Sequence, residues 1–199
     1  MKLTHRQLTF PNPMNRILAA LYLLACAVFA ADEKPAPPQN FTYRITGLFS
    51  PGRETALRTG LEKLPDVKLV SVDFEHAEAV FSYVPAVAFK GTKPDDITKR
   101  FDEQLRNATR STLGIAPLIT TPHDKLTRIE IPVVGLDCQA CALATYEAIC
   151  KIDGVAAATV DYKEGRVTAL IDASKTTQPA LEAAFKKREI KLKTPTKTP

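Results

Sequence analysis

The feature that most restricts the fold of this chain is an internal repeat. Sliding the sequence on itself by 88 positions (135 − 47) lays Gly47-Leu48 over Gly135-Leu136. Without any gap, Lys63 then meets Lys151, Val67 meets Val155, and Val72-Asp73 meets Val160-Asp161. Apolar positions agree between these identities: Leu61 with Ile149, Leu64 with Ile152, Phe74 with Tyr162. Matches that follow a strand–helix–strand pattern are the mark of a duplicated structural unit.

Each copy reads as strand, helix, hairpin, helix and short strand. In the first, residues 41–46 are predicted as a strand and 54–64 as a helix, followed by a hairpin of 67–74 and 77–83. Asp95 or Asp96 is predicted to cap a helix reaching about Asn107, with Ile97, Phe101 and Leu105 on its apolar face. A last strand is expected over 112–118. In the second copy, Ile129, Ile131 and Val133 alternate as in a half-buried strand. Helical spacing then runs from Cys141 to Ile152, where Asp153-Gly154 supplies a stop. The second hairpin is expected at 155–161 and 166–171, and a helix with Pro179 in its first turn at 178–188. Its buried face holds Leu181, Ala184 and Phe185, and residues 190–192 close the sheet. The order β-α-β-β-α-β, met twice, predicts an α+β fold: two tandem ferredoxin-like sandwiches, each an antiparallel sheet with both helices on one face. Pro132 sits inside an inner strand, so a bulge or an unpaired N–H position is expected there.

The remaining segments divide the chain. Residues 1–30 carry a basic start at Arg16, an uncharged apolar run and the small-residue end Val28-Phe29-Ala30, the pattern of a secretory signal. The run is too short to span a bilayer comfortably. Export to the periplasm or another extracytoplasmic space is the expectation, with Ala31 as the first mature residue. Leu23-Leu24-Ala25-Cys26 also resembles a lipobox, which would make Cys26 a lipid attachment point and the only membrane contact. A Pro-rich linker spans 31–40, the copies occupy 41–118 and 127–193, a linker fills 119–126, and a frayed tail covers 194–199. Losing residues 1–30 removes Lys2, Arg6 and Arg16, so the net charge of +5 becomes +2 (5 − 3). Basic residues then crowd only the carboxyl end, from Lys186 to Lys197, without interleaved aromatic side chains. That excludes the stacking surface a nucleic-acid binder needs.

Chemistry concentrates in Gly135-Leu136-Asp137-Cys138-Gln139-Ala140-Cys141. Two cysteines three apart, between a strand and a helix start, aim both sulfurs at one point, and the helix N–H groups favour thiolate. A soft-metal site, a redox-active dithiol and an inert structural disulfide all fit that spacing. Thioredoxin-like dithiols place an aromatic residue before the first cysteine and commonly Gly-Pro between the two, and neither is present. Cys150 is out of phase with the pair on the same helix. His76 aligns with Glu164 and His123 lies in the linker, which points to no metal role for either. No nucleophile–base pair, glycine-rich phosphate loop or second Cys-x-x-Cys is present.

The stretch from Gly135 to Cys141, with its helix and Asp153-Gly154-Val155, resembles the heavy-metal-associated domain. That family includes copper chaperones, a periplasmic mercury-binding protein and the amino-terminal domains of metal-pumping ATPases. Its signature is Gly-Met-x-Cys-x-x-Cys on a ferredoxin-like fold, and Leu136 here replaces the methionine. The resemblance covers about residues 127–193. It implies a protein that is not an enzyme and that stores or transfers a soft metal through Cys138 and Cys141. Cu(I) is favoured, with Zn(II), Cd(II) or Hg(II) as alternatives. The implied partner is a metal donor or acceptor, such as a membrane metal transporter. In family members that pump zinc, cadmium or lead an aspartate precedes the first cysteine, which makes Asp137 a candidate third ligand. The family's Gly-Phe or Gly-Tyr after the second helix is replaced by Glu189-Ile190. The first copy has Ser50 and Arg53 where the thiols belong and reads as a degenerate domain kept for packing or docking.

Overall fold

The computed structural model describes residues 36–193. The expected leader, its Cys26, the first part of the Pro-rich linker and the tail lie outside the described residues. No helix among those described is long and apolar enough to cross a membrane.

The duplication is plain in three dimensions. The first repeat contains β1 (Gln39–Thr46), α1 (Arg53–Leu61), β2 (Val67–Asp73), β3 (Glu78–Tyr83), α2 (Ile97–Ala108) and β4 (Gly114–Ala116). The second contains β5 (Thr127–Val134), α3 (Gln139–Ile149), β6 (Val155–Asp161), β7 (Arg166–Ile171), α4 (Gln178–Lys187) and β8 (Lys191–Leu192). Each set forms a four-stranded antiparallel sheet, ordered β2-β3-β1-β4 and β6-β7-β5-β8. This is the ferredoxin-like topology twice over. Ala77 (φ 53°) and Gly165 (φ 62°), which align in the repeat, both take the left-handed conformation at the end of their hairpin turns.

Alternation along the strands drives this layering. In β5, Ile131 and Val133 are buried while Pro132 and Val134 face out. On the helices, Leu57 and Leu61, Phe101 and Leu105, Ile149, and Leu181 and Phe185 turn inward. Tyr43, Phe81, Tyr83, Phe89 and Phe101 give the first repeat an aromatic core, with T-shaped contacts such as Phe81–Phe101 at 5.0 Å. The second core is mostly aliphatic, built on Ile131, Val133, Val155, Val167, Ile171 and Leu181.

Several details differ from expectation. The first helix ends at Leu61 rather than residue 64, and the last strand of the first repeat shrinks to Gly114–Ala116. Asp96 makes no side-chain cap; a 3-10 turn, Pro94–Asp96, leads into α2 instead. Pro132 causes no bulge, since β5 keeps its register against β7 from Thr127 to Pro132. The neighbouring Val133 N–H donates to the Gly165 carbonyl at 2.8 Å. Ladder bonds alternate along an antiparallel pair, so Pro132 occupies a position that asks for no donor toward β7, the second of the two arrangements expected there. On its other side, where β8 ends, its carbonyl accepts from Lys193 N–H at 3.0 Å.

The close of α4 explains how Glu189 substitutes for the family's glycine. Ile190 N–H donates to Phe185 O at 2.9 Å and Glu189 N–H to Lys186 O at 3.0 Å, with Glu189 at φ 59°. This is a Schellman ending, which glycine fits without strain. Glu189 is exposed and bears the strain without compensating contacts. Glu189→Gly is expected to raise stability by about 0.5–1 kcal/mol, the relief of the left-handed penalty less the extra entropy of the unfolded chain. Chemical denaturation monitored by circular dichroism measures it.

The two repeats are stapled together. Arg44 Nη1 in β1 donates to the Val155 carbonyl at 3.1 Å. The joining segment packs as well: Ile119 and Leu126 lie against Ala77, Ala156, Ala157 and Leu170. Thr121 Oγ1 donates to Asp172 at 2.6 Å. Held by Ser174 and then Thr121, the Asp172 carboxyl is lowered to about 2.

Candidate metal centre

The site begins where β5 ends. Gly135, at φ 79°, turns the chain, and Leu136 is buried beneath the loop as an anchor. Cys138 has extended backbone angles and is the N-cap of α3, its Sγ accepting from Cys141 N–H at 3.2 Å. The helix begins at Gln139, two residues before the spacing expected from Cys141, so Cys141 lies in its first turn. The sulfurs of Cys138 and Cys141 are 2.6 Å apart, and both thiols are free. Cys138 is exposed and Cys141 half-buried. Hydrogen bonds from the Cys141 thiol, and then from its backbone N–H, hold the Cys138 thiol below the usual cysteine range. The Cys141 thiol, whose proton serves that bond, is pushed up. Two thiols at a helix N-terminus, the first with its pKa lowered, give a pair that can release protons to a soft cation.

Asp137 is exposed beside the first sulfur. No group of three or more His, Cys, Asp or Glu side chains is gathered around a common point among the described residues. Cys150 ends α3 as a half-buried free thiol away from the pair, next to Tyr146, and burial raises its pKa.

The equivalent loop of the first repeat is closed. Arg53, at the position of Cys141, bonds the Gly47 carbonyl at 3.2 Å and the Thr112 carbonyl at 3.0 Å. Phe49, at the position of Asp137, leaves its own repeat and is buried in the core of the second. Its ring lies 5.6 Å from that of Tyr146, and its carbonyl accepts from Val160 N–H on the edge strand β6 at 2.8 Å. Tyr146 in turn accepts from Gly47 N–H at 2.8 Å, and burial pushes its phenol up to about 12. Sequence reasoning missed Phe49 and Tyr146. The signal was an aromatic residue at an exposed loop position of a repeat that has lost its thiols.

The two turn glycines record the contrast. A Cβ on Gly47 (φ 85°) would collide with the Thr112 carbonyl, while one on Gly135 would meet nothing within 4 Å. Gly47→Ala is expected to cost about 3 kcal/mol or more through strain and overlap, and Gly135→Ala about 1–2 kcal/mol through strain alone. Paired urea titrations of the two variants test that order.

A family model described as the heavy-metal-associated domain matches residues 130–189. That match runs through the second repeat, from β5 to the close of α4. Solved structures resembling the chain include oxidized MerP from Ralstonia metallidurans CH34, at 22% identity over 36% of this chain and 99% of that one, with a TM-score of 0.33. The CopZ metallochaperone is 27% identical over 34% of this chain and 100% of its own, at the same TM-score of 0.33. The N-terminal soluble domains of Bacillus subtilis CopA are 18% identical, covering 81% of this chain and 97% of that one, with a TM-score of 0.33. No curated protein matches the chain.

Proposed function

We propose that the chain is an exported carrier that takes one Cu(I) ion between Cys138 and Cys141 and passes it to a partner protein. The observation carrying this reading is the pair itself: two free sulfurs at an exposed helix start, the first with its pKa lowered by hydrogen bonds from the Cys141 thiol and N–H. Thiolates select soft ions, and a two-sulfur donor set suits Cu(I) better than Zn(II), which seeks four ligands. Cys138 and Cys141 would hold the ion between their sulfurs, and loading would spread the pair from its present 2.6 Å. The exposed Cys138 has room to move. Transfer proceeds by exchange, an incoming partner thiolate attacking before each outgoing one leaves. Asp137 adds a carboxylate oxygen where a divalent ion is carried instead. Export rests on residues 1–30 and places the metal partner, a membrane transporter or another exported thiol protein, outside the cytoplasm.

The test is titration of the reduced chain with Cu(I) against a competing chelator. One equivalent is expected, weakening as pH falls because protons compete for the sulfurs. A reduced chain that takes up no Cu(I) refutes the proposal.

A further inference from the structure

His76 and His123 are far apart in sequence, yet their rings stack with centroids 3.9 Å apart and planes 9° from parallel. His76 belongs to the β2–β3 turn, and His123 opens the 3-10 turn His123–Lys125 of the joining segment. Each ring is anchored by one nitrogen to a carboxylate. His76 Nδ1 lies 2.8 Å from Asp73 Oδ2, and His123 Nε2 lies 2.9 Å from Glu78 Oε1. Asp73 also accepts the His76 backbone N–H at 3.2 Å, which fixes the turn.

These carboxylates decide which nitrogens are free. A neutral imidazole whose N–H points at a carboxylate presents its other nitrogen as a lone pair. His76 thus offers Nε2 and His123 offers Nδ1. Histidines that ligate metals are held in this way, a carboxylate on the far nitrogen setting the tautomer and raising ligand basicity. We propose that His76 and His123 form a second metal site, for a divalent ion suited to imidazole such as Cu(II), with water completing the coordination. The proposal is independent of the thiol pair.

Two ligands about 2.0–2.1 Å from one ion stand about 3–4 Å apart, and the ring centroids here are 3.9 Å apart. In the parallel stack the lone pairs run side by side, so loading requires one ring to tilt. His123 is the one free to do so: its side chain is 43% exposed against 24% for His76. Glu75 and Asp124 add negative charge at this corner, offset in part by Arg128, which lies 3.9 Å from Glu75. Among the divalent first-row ions, Cu(II) binds nitrogen and oxygen sites most strongly.

The experiment uses the full chain with its four cysteines changed to serine, because thiols would reduce Cu(II) to Cu(I). Titration with Cu(II) alone, followed by electron paramagnetic resonance, is expected to show one equivalent bound through two imidazole nitrogens. His76→Gln and His123→Gln should each weaken it at least about ten-fold. Glu78→Gln, which removes no ligand, should weaken it about 10–100-fold through ring orientation. Cu(II) affinity unchanged in both histidine variants, or a spectrum of oxygen ligands only, overturns the site. As a check that does not depend on the serine changes folding, Zn(II) added to the thiol-alkylated natural sequence should shift the ring protons of both histidines together. Unshifted rings overturn the site equally.

Discussion

Changing Cys138 and Cys141 together to serine is expected to lower Cu(I) affinity by a factor on the order of 10⁴–10⁶. The estimate scales from structural zinc sites, whose binding free energy of roughly 10–16 kcal/mol comes from four ligands, so two ligands carry about 5–8 kcal/mol. Serine keeps the shape of the loop but replaces a polarizable sulfur by a hard hydroxyl that does not ionise near neutral pH. The fold should not move, because Cys138 is exposed and Cys141 only half-buried. Chelator competition measures the affinity, and circular dichroism confirms the fold. The single variants separate the two roles. Cys138→Ser removes the sulfur whose pKa is lowered and caps the helix with an ordinary hydroxyl. Cys141→Ser leaves a single sulfur, which should show weaker binding and a shallower pH dependence, one sulfur fewer having to lose its proton. A double variant that binds Cu(I) as tightly as the parent would move the metal site elsewhere.

The second large effect concerns a residue of the degenerate repeat. Phe49→Ala is expected to destabilise the protein by about 3–5 kcal/mol, the range for a fully buried phenylalanine. Phe49 is 2% exposed, and beyond Arg53, whose guanidinium lies 5.5 Å over its ring, it packs on the second repeat: Tyr146 on α3 and the edge of β6. The loss should therefore appear in the second repeat and loosen the helix that carries both thiols. Hydrogen exchange at α3 and β6 reads this directly. If Phe49 served only its own repeat, exchange in α3 would be unchanged. Urea unfolding of the parent is expected to be one transition, because Phe49, Gly47–Tyr146 and Arg44–Val155 all bridge the repeats. In the alanine variant the transition should broaden or divide.

These contacts change how the duplication is understood. The first repeat has kept the turn glycine and buried leucine of a metal loop, Gly47 and Leu48, but directs that loop into its sister domain. Its Phe49 carbonyl occupies a donor on an otherwise open sheet edge, the kind of edge that invites unwanted pairing. Arg53 then seals what a thiol would have left open.

Much of this was legible from residues alone, and for a definable reason. Strand alternation at Ile129, Ile131 and Val133, helical spacing along α4, and the glycines at 47, 135, 154 and 165 are local signals, set by backbone geometry within a few residues. They located the β6–β7 hairpin at its observed bounds and the two-fold β-α-β-β-α-β order. The Cys138/Cys141 pair was legible for the same reason, since three positions at a helix start place two side chains together. Local patterns were weaker where an element depends on its neighbours. The strand expected at 112–118 survives only where β1 pairs with it, at Gly114–Ala116. Glu189 adopts glycine's conformation because the end of α4 and the start of β8 demand it.

What only the tertiary structure decided are the contacts between segments distant in sequence: Phe49 on Tyr146, Gly47 on the same tyrosine, and His76 on His123. No periodicity encodes them, because each depends on how two already folded sheets are set against each other. The sequence determined the units and the thiol pair; the packing of one unit on the other determined which loop stays open to a metal and which is closed.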